Sequence, residues 1–121
     1  MSQTRRKIKE IIHQYRNMLE ELGIQVERVI LYGSYANGNA GEDSDIDLII
    51  ISKDFKKLNI RERIEILGIA AARLMKPIEA KGYTVAEIKK ISPLNFLSEA
   101  LKGGITVLKN GKRFLKNVTP K

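Results

Sequence analysis

The chain has 121 residues and no cysteine, so it is long enough for one domain with a single core and contains neither disulfides nor thiolate metal sites. Its apolar content of 43% and charged content of 30% are ordinary for a globular domain, and no apolar run is long enough for a membrane span or a secretory signal. The formal charge of +8 comes from the two ends, since residues 1–16 have a net charge of +4 and residues 109–121 a net charge of +5. We therefore expect one domain over residues 1–121, with a basic tail from about residue 112, no membrane contact and a cytoplasmic location.

The first half of the chain predicts one helix followed by two strands. Apolar residues recur at three- and four-residue steps over residues 4–22, which is the spacing of an amphipathic helix, and Gly23 is placed to end it. Residues 26–32 and 45–51 each contain a continuous apolar run, which favours strands buried on both faces of a sheet. Between them, the glycine- and asparagine-rich residues 33–41 predict a turn region.

The second half predicts alternating helices and short strands. A loop over residues 52–59 ends in a capping-box pattern at Asn59 and Glu62, which predicts a helix to about residue 75. The expected buried side chains of this helix are Ile60, Ile64, Leu67, Ala71 and Leu74. The remaining predicted elements are a strand at 78–80, helices at 85–90 and from Ser92-Pro93 to about 102, a strand at 105–108 and a turn at Asn110-Gly111. This order predicts an α/β (α+β) fold class, in which helices pack on a small mixed β-sheet of about four strands.

The strongest functional signal lies around the first predicted turn region. Gly33 and Ser34 follow the first strand, and alternation places the carboxylates of Asp45 and Asp47 on one face of the second. Glycine lets a backbone approach a phosphate closely, and a helical turn opened by Ser34 would present free N–H groups to an anion. Two carboxylates this close repel each other, and a bound Mg²⁺ removes the conflict. The pattern therefore predicts a site for a metal-bound nucleoside triphosphate.

A calcium-binding loop is an alternative interpretation of residues 43–47. This segment begins with the alternating acidic and polar residues of such a loop. However, Leu48 stands where the loop requires glycine, and residues 46–51 are too apolar for it. The sequence therefore favours the nucleotide site over the calcium site.

The spacing of the site residues resembles the signature of a known family. Gly33-Ser34, ten intervening residues and an Asp-x-Asp at Asp45 and Asp47 look like the motif of the DNA polymerase β-like nucleotidyltransferase superfamily, and within it of the minimal nucleotidyltransferases. The resemblance implies that Gly33 and Ser34 bind the triphosphate of ATP. It also implies that Asp45 and Asp47 bind Mg²⁺ as catalytic residues, with two ions expected.

The family's third carboxylate, on a later strand, has more than one candidate here. Glu79, in the strand predicted at residues 78–80, is our choice as metal ligand and catalytic residue. The resemblance implies that it would help to hold the metal ion nearer the acceptor of the transferred group and would assist deprotonation of that acceptor. Glu65 and Glu87 are weaker candidates, since each fits the surface of a helix. Many relatives carry an arginine where this chain has Asn37, which can form hydrogen bonds but cannot offset phosphate charge.

The resemblance also implies a partner. Minimal nucleotidyltransferases act beside a helical HEPN-domain protein, so it implies transfer of AMP from ATP to a tyrosine of that partner, by the antitoxin of a type VII toxin–antitoxin pair. Two alternatives stay open. The chain could neutralise the partner by docking alone, with a weak or inactive site, or it could bind or modify RNA through its basic ends. Few aromatic residues accompany those ends, which argues against a stacking surface for single strands.

Overall fold

The structure, a computed structural model, describes residues 3–38, 41, 44–90, 96–109 and 112–113, without the side chains of residues 3, 4, 96, 99, 109, 112 and 113. The helices are α1 (Gln3–Glu21), α2 (Ser34–Asn37), α3 (Ile60–Leu74), α4 (Val85–Lys89) and α5 (Phe96–Gly103), with a 3-10 helix at Lys53–Lys57. The strands are β1 (Arg28–Tyr32), β2 (Ile46–Ile51), β3 (Ile78–Tyr83), β4 (Ile105–Lys109) and β5 (Lys112–Arg113). None of the helices in the described ranges is long and apolar enough to cross a membrane.

The strands form one mixed sheet in the order β3-β2-β1-β4-β5. The central strand β1 is antiparallel to both β2 and β4, whereas β2 and β3 are parallel. A parallel pair needs a long crossover connection, and here it runs through the 3-10 helix and α3. The predicted mixed sheet with packed helices is therefore confirmed. The two-residue strand β5 adds to the expected four, at the start of the segment that was expected to be a loose basic tail.

Both faces of the sheet are covered, as the continuous apolar runs predict. The larger core joins one face of β1 and β2 to α1 and α3, and its sheet residues include Val29, Leu31, Ile46, Leu48 and Ile50. The smaller core joins the other face to α5, and it includes Ile30, Tyr32, Ile49, Ile51, Leu97 and Ala100. Because side chains alternate along β2, Asp47 lies on the same face as Ile49, on the side of the smaller core.

Local sequence signals correctly predict several helix ends. Asn59 Oδ1 accepts a hydrogen bond from the Glu62 N–H at 2.8 Å, and Glu62 accepts one from the Asn59 N–H at 2.9 Å. Thr84 and Glu87 form a second capping box at the start of α4. At the end of α1, Gly23 has the positive φ of 97° that suits glycine. The predicted loop at 52–59 contains the 3-10 helix, and the expected features at residues 92–93 and 110–111 lie outside the described residues.

The buried face of α3 corrects the sequence prediction. Leu67 and Ala71 are buried as expected, but Ile60 and Ile64 are 60% and 63% exposed. Their place is taken by Arg63, whose side chain is only 7% exposed. Helical periodicity selects a face by hydrophobicity, and it cannot foresee that a long cation will be buried instead.

Arg63 is buried because every part of its guanidinium group has a partner. Its two terminal nitrogens bind the Glu87 carboxylate at 2.8 Å and 2.9 Å. It also donates hydrogen bonds to the carbonyl oxygens of Leu58, Phe55 and Gly82. A buried charge is tolerated when it is paired and hydrogen-bonded, so Arg63 joins α3, α4, β3 and the 3-10 helix.

Candidate active site

The predicted site residues lie at one edge of the sheet, where β1 ends and β2 and β3 begin. The last residue of β1, Tyr32, pairs with Asp47 of the antiparallel β2, and Gly33 follows directly. Asp47 pairs in turn with Glu79 of the parallel β3. Asp45 is exposed and lies one residue before β2 begins, rather than inside the strand as expected. Three neighbouring strands thus bring the predicted residues to one edge and one face.

Gly33 is held against Asp47 in a backbone conformation that other residues avoid. Its φ of 76° and ψ of −152° form a combination that is essentially confined to glycine. A Cβ atom at Gly33 would lie 3.2 Å from Asp47 Cγ and closer still to the Asp47 carboxylate oxygen Oδ2. From the sequence, glycine is expected at position 33 because a phosphate would approach the backbone closely. The structure adds a second reason, which is the close approach of the Asp47 side chain.

The helical turn considered from the sequence is present as α2, which begins at Ser34. The N–H groups of Ala36 and Asn37 both donate to the Gly33 carbonyl oxygen at 3.1 Å. The first N–H groups of a helix have no partner within it. The close approach of Gly33 to Asp47 places this segment of backbone beside the carboxylates. Its role in binding phosphate stays a prediction.

The Asp47 carboxyl group is influenced by its burial and by the charged groups around it. Burial raises the pKa of Asp47, and the negative charges of Glu79 and Asp45 and a side-chain hydrogen bond with Glu79 raise it further, while the positive charge of Lys81 lowers it. The charged form of Asp47 is therefore disfavoured when no cation is bound. A divalent cation at this position would relieve the repulsion.

The carboxylates at this edge suit a Mg²⁺ ion that is bound together with a nucleotide, rather than a metal ion that is held by protein side chains alone. Across the described part of the chain, no three His, Cys, Asp or Glu side chains are gathered closely enough to hold a metal ion by themselves. Mg²⁺ is usually bound by one or two carboxylates together with waters and phosphate oxygens. Asp45 and Asp47 offer such a partial set of hard oxygen ligands, and the Glu79 carboxyl group contacts Asp47.

Of the three candidates for the third carboxylate, Glu79 is the one that the structure places beside Asp47. Glu87 is engaged by Arg63 and by the start of α4, and its hydrogen bonds to Arg63 lower its pKa. Glu65 forms an exposed ion pair with Arg61 on α3 at 3.5 Å. Glu65 therefore lies on the surface of a helix as expected, whereas the pairing of Glu87 with the buried Arg63 was not predicted from the sequence.

Two residues of the site face were not identified from the sequence. Burial together with the charges of Asp47, Glu79 and Tyr83 raises the pKa of Tyr32 to about 12. Lys81 follows Glu79 on the same face of β3, and its charge reaches Asp47. Strand alternation could place each residue on a face of its own strand. The pairing between strands, which brings these faces together, is not readable from local sequence.

Comparison with known proteins gives a family match and two curated relatives. Residues 7–105 match the family model described as "Nucleotidyltransferase domain". A Methanocaldococcus jannaschii protein that is provisionally named a protein adenylyltransferase is 37% identical over 71 residues, which cover 58% of this chain and 70% of that protein. A second M. jannaschii protein with the same provisional name is 44% identical over 41 residues, which cover 34% of this chain and 28% of the relative.

Solved structures share the fold at low sequence identity. A Sulfolobus solfataricus structure provisionally described as a nucleotidyltransferase has a TM-score of 0.60 and 18% identity, over 95% of this chain and 96% of that one. A toxin–antitoxin complex with AMP-PNP has a TM-score of 0.58 and 19% identity, over 80% and 72% of the two chains. A complex of the tri-AMPylated Shewanella oneidensis HEPN toxin with its MNT antitoxin has a TM-score of 0.54 and 17% identity, over 87% and 72%.

Proposed function

Because the chain belongs to the nucleotidyltransferase family, we propose that it transfers AMP from ATP to the hydroxyl group of an external acceptor, in a reaction that depends on Mg²⁺. The observation that carries the proposal is the convergence of Gly33, Asp47 and Glu79 from three neighbouring strands. We further propose that the acceptor is a tyrosine of a HEPN-domain protein, and that the chain is the antitoxin of a type VII toxin–antitoxin pair. The provisional names of the curated relatives and the complexes with HEPN toxins among the fold neighbours support this acceptor.

The proposed roles follow from the position of each group. Asp45 and Asp47 would hold Mg²⁺ between the sheet edge and the triphosphate. The backbone of Gly33 and Ser34 would bind phosphate oxygens, since α2 begins there. Mg²⁺ would neutralise phosphate charge and stabilise both the attacking and the leaving oxygen atoms. Glu79, exposed and beside Asp47, would accept the proton of the acceptor hydroxyl group.

The proposed reaction is a single displacement at phosphorus. The acceptor oxygen forms a bond to the α-phosphorus of ATP, and the bond from that phosphorus to the bridging oxygen of the β-phosphate breaks. Pyrophosphate leaves, and the hydroxyl proton passes to the Glu79 carboxylate. The main contribution of the protein is positioning and charge stabilisation, as is general for transfer at phosphorus.

Labelling with ATP that carries the radioactive phosphate at the α position tests the proposal. Purified protein, Mg²⁺ and an extract of the source cells are incubated, and protein and RNA are separated on gels. The wild type should label one protein band, and the Asp45→Asn/Asp47→Asn variant should not. A Glu10→Gln/Glu21→Gln variant is the matched control, because it makes the same charge change at two exposed positions of α1. Persistent labelling by the double aspartate variant would show that the proposed mechanism is wrong.

The other outcomes of the same experiment separate the alternatives. A labelled RNA band would retain the chemistry but change the class of acceptor. Labelling of nothing, with other triphosphates also tried, would favour an antitoxin that acts by docking. The RNA alternative involves both basic ends, and the C-terminal one, residues 109–121, lies almost entirely outside the described residues.

Docking without catalysis is a second candidate because α3 exposes large apolar side chains. Ile60 and Ile64 are one helical turn apart and are 60% and 63% exposed, and Met75 at the end of the helix is 87% exposed. Exposed apolar side chains grouped on one helix are typical of interaction surfaces. If docking suffices, the double aspartate variant should still neutralise the partner in cells, whereas an Ile60→Glu/Ile64→Glu variant should not.

A further inference from the structure

Lys81 lies on the face of β3 that carries the site. Alternation along the strand puts it on the same face as Glu79, which precedes it by two residues. In the parallel register Lys81 lies opposite Ile49, which is the next residue after Asp47 on that face of β2. Its side chain is half-buried. Lys81 is therefore held against the sheet, one step along the strand from the carboxylates.

The positive charge of Lys81 acts on Asp47. Among the groups that influence Asp47, Lys81 lowers its pKa, in opposition to burial and to the charges of Glu79 and Asp45. Charge interactions weaken with distance and with screening by water, so the place of Lys81 on the same face of β3, two residues after Glu79, is what lets its charge act on Asp47. A two-residue step along a strand is about 6.6 Å, and the flexible four-carbon side chain of lysine can cover much of that distance.

The segment that would bind phosphate has no positive side chain of its own. Gly33 is neutral, and α2, which runs from Ser34 to Asn37, contains no charged residue. The bound triphosphate carries several negative charges, and transfer of the nucleotidyl group develops more charge on the leaving pyrophosphate. The neighbouring carboxylates add further negative charge. A cation close to this edge would therefore stabilise negative charge that backbone N–H groups stabilise only in part.

We propose that Lys81 is a further catalytic residue, whose ammonium group binds the triphosphate at the reacting α-phosphate and stabilises the negative charge that develops as the bond to pyrophosphate breaks. This inference rests on the nucleotidyl transfer proposed above. Lysine suits the task because its ammonium group is compact, carries three donors and binds phosphate oxygens as a point charge. In this scheme Lys81 takes no part in proton transfer, and the hydroxyl proton still passes to Glu79.

Three variants test the role of Lys81. Lys81→Met removes the charge but keeps most of the apolar stem, and Lys81→Arg keeps the charge. Lys57→Met is the matched control, because Lys57 is exposed in the 3-10 helix that follows the opposite end of β2. Calorimetry measures the binding of inorganic tripolyphosphate at saturating Mg²⁺ and, separately, the binding of Mg²⁺ alone. The kcat and the KM for ATP are measured with the acceptor that the labelling experiment identifies, and thermal unfolding checks the fold.

Lys81→Met should weaken tripolyphosphate binding by about tenfold and should lower kcat by about 100-fold, with a smaller change in KM for ATP. Lys81→Arg should recover part of both losses, and Lys57→Met should match the wild type. If instead Lys81→Met keeps its kcat at saturating Mg²⁺ and binds Mg²⁺ more tightly, Lys81 only offsets the carboxylates, and the inference is overturned. A wild type that transfers nucleotide to no acceptor overturns the proposed function itself, so the two failures are distinguishable.

Discussion

Replacing Gly33 with alanine should destabilise the protein through two separable effects. The backbone at Gly33, with φ 76° and ψ −152°, would cost a residue with a side chain about 1–3 kcal/mol. The new Cβ would also collide with the Asp47 carboxylate, and overpacking of this kind costs about 1–3 kcal/mol. Together the two effects predict a loss of about 4 kcal/mol, or a fall in Tm of about 15 °C for a domain of this size.

Two comparisons separate the backbone effect from the collision. Gly38 has almost the same φ, 78°, but its ψ is 13°, and among the residues that the structure describes nothing lies within 4 Å of a Cβ placed there. Gly38→Ala should therefore cost only about 1–2 kcal/mol. In an Asp47→Ala background the carboxylate is absent and the Cβ of residue 47 is 3.3 Å away, so Gly33→Ala should cost only its backbone share there. A double-mutant cycle of unfolding free energies, measured in EDTA, gives the coupling directly.

The coupling free energy between Gly33 and Asp47 decides whether the contact with the Asp47 carboxylate is what requires glycine at position 33. We expect Gly33→Ala to cost about 1–3 kcal/mol less when Asp47 is alanine. If the cost is the same in both backgrounds, the contact between Gly33 and the Asp47 carboxylate is not what requires glycine. If Gly33→Ala is no more harmful than Gly38→Ala, the backbone argument fails as well.

Further predictions concern the carboxylates and the buried arginine. Asp47 binds its proton more tightly in the folded protein than in the unfolded chain, so the metal-free protein should lose stability as the pH rises from its ordinary pKa of 3.8 through the raised value. In Tm scans between pH 4 and pH 7 in EDTA, the Asp47→Asn variant should not show this loss of stability. Addition of Mg²⁺ with ATP should restore the stability of the wild type but should not stabilise Asp47→Asn. Arg63→Met should cost about 2–3 kcal/mol in urea unfolding, because it removes the ion pair with Glu87 and the hydrogen bonds to the carbonyl oxygens of Gly82 and Phe55. Arg61→Met, which breaks an exposed ion pair on the same helix, should change stability by less than about 1 kcal/mol.

Local signals in the sequence predicted the strands and many of the helix ends because their causes are local. The apolar runs before Gly33 and after Asp47 correspond to β1 and β2, whose two faces are both covered. The capping box at Asn59 and Glu62 depends on four consecutive residues, so it can be recognised without the rest of the fold. The same reasoning placed Asp47 on one face of its strand, since alternation is a property of each strand alone.

The buried face of α3 failed to follow from the sequence because its cause is not local. Ile60 and Ile64 fit the apolar periodicity of the helix as well as Leu67 does. What selects the buried face is the set of acceptors around Arg63, which come from the 3-10 helix, β3 and α4. Those partners are up to 24 residues away along the chain, so no window of helical length contains them.

The identity of the third carboxylate depends on a register that one proline helps to set. Asp47 lies opposite Glu79 only because Ile46 is paired with Ile78 at the start of the parallel strands. A slip of one residue would turn Glu79 to the other face, and a slip of two would place a different β3 residue opposite Asp47. Pro77 stands at this starting point, where its carbonyl oxygen accepts a hydrogen bond from the Ile46 N–H at 2.7 Å. Proline has no N–H to continue the ladder, so it suits the residue that precedes the strand and favours the register in which Glu79 reaches the site.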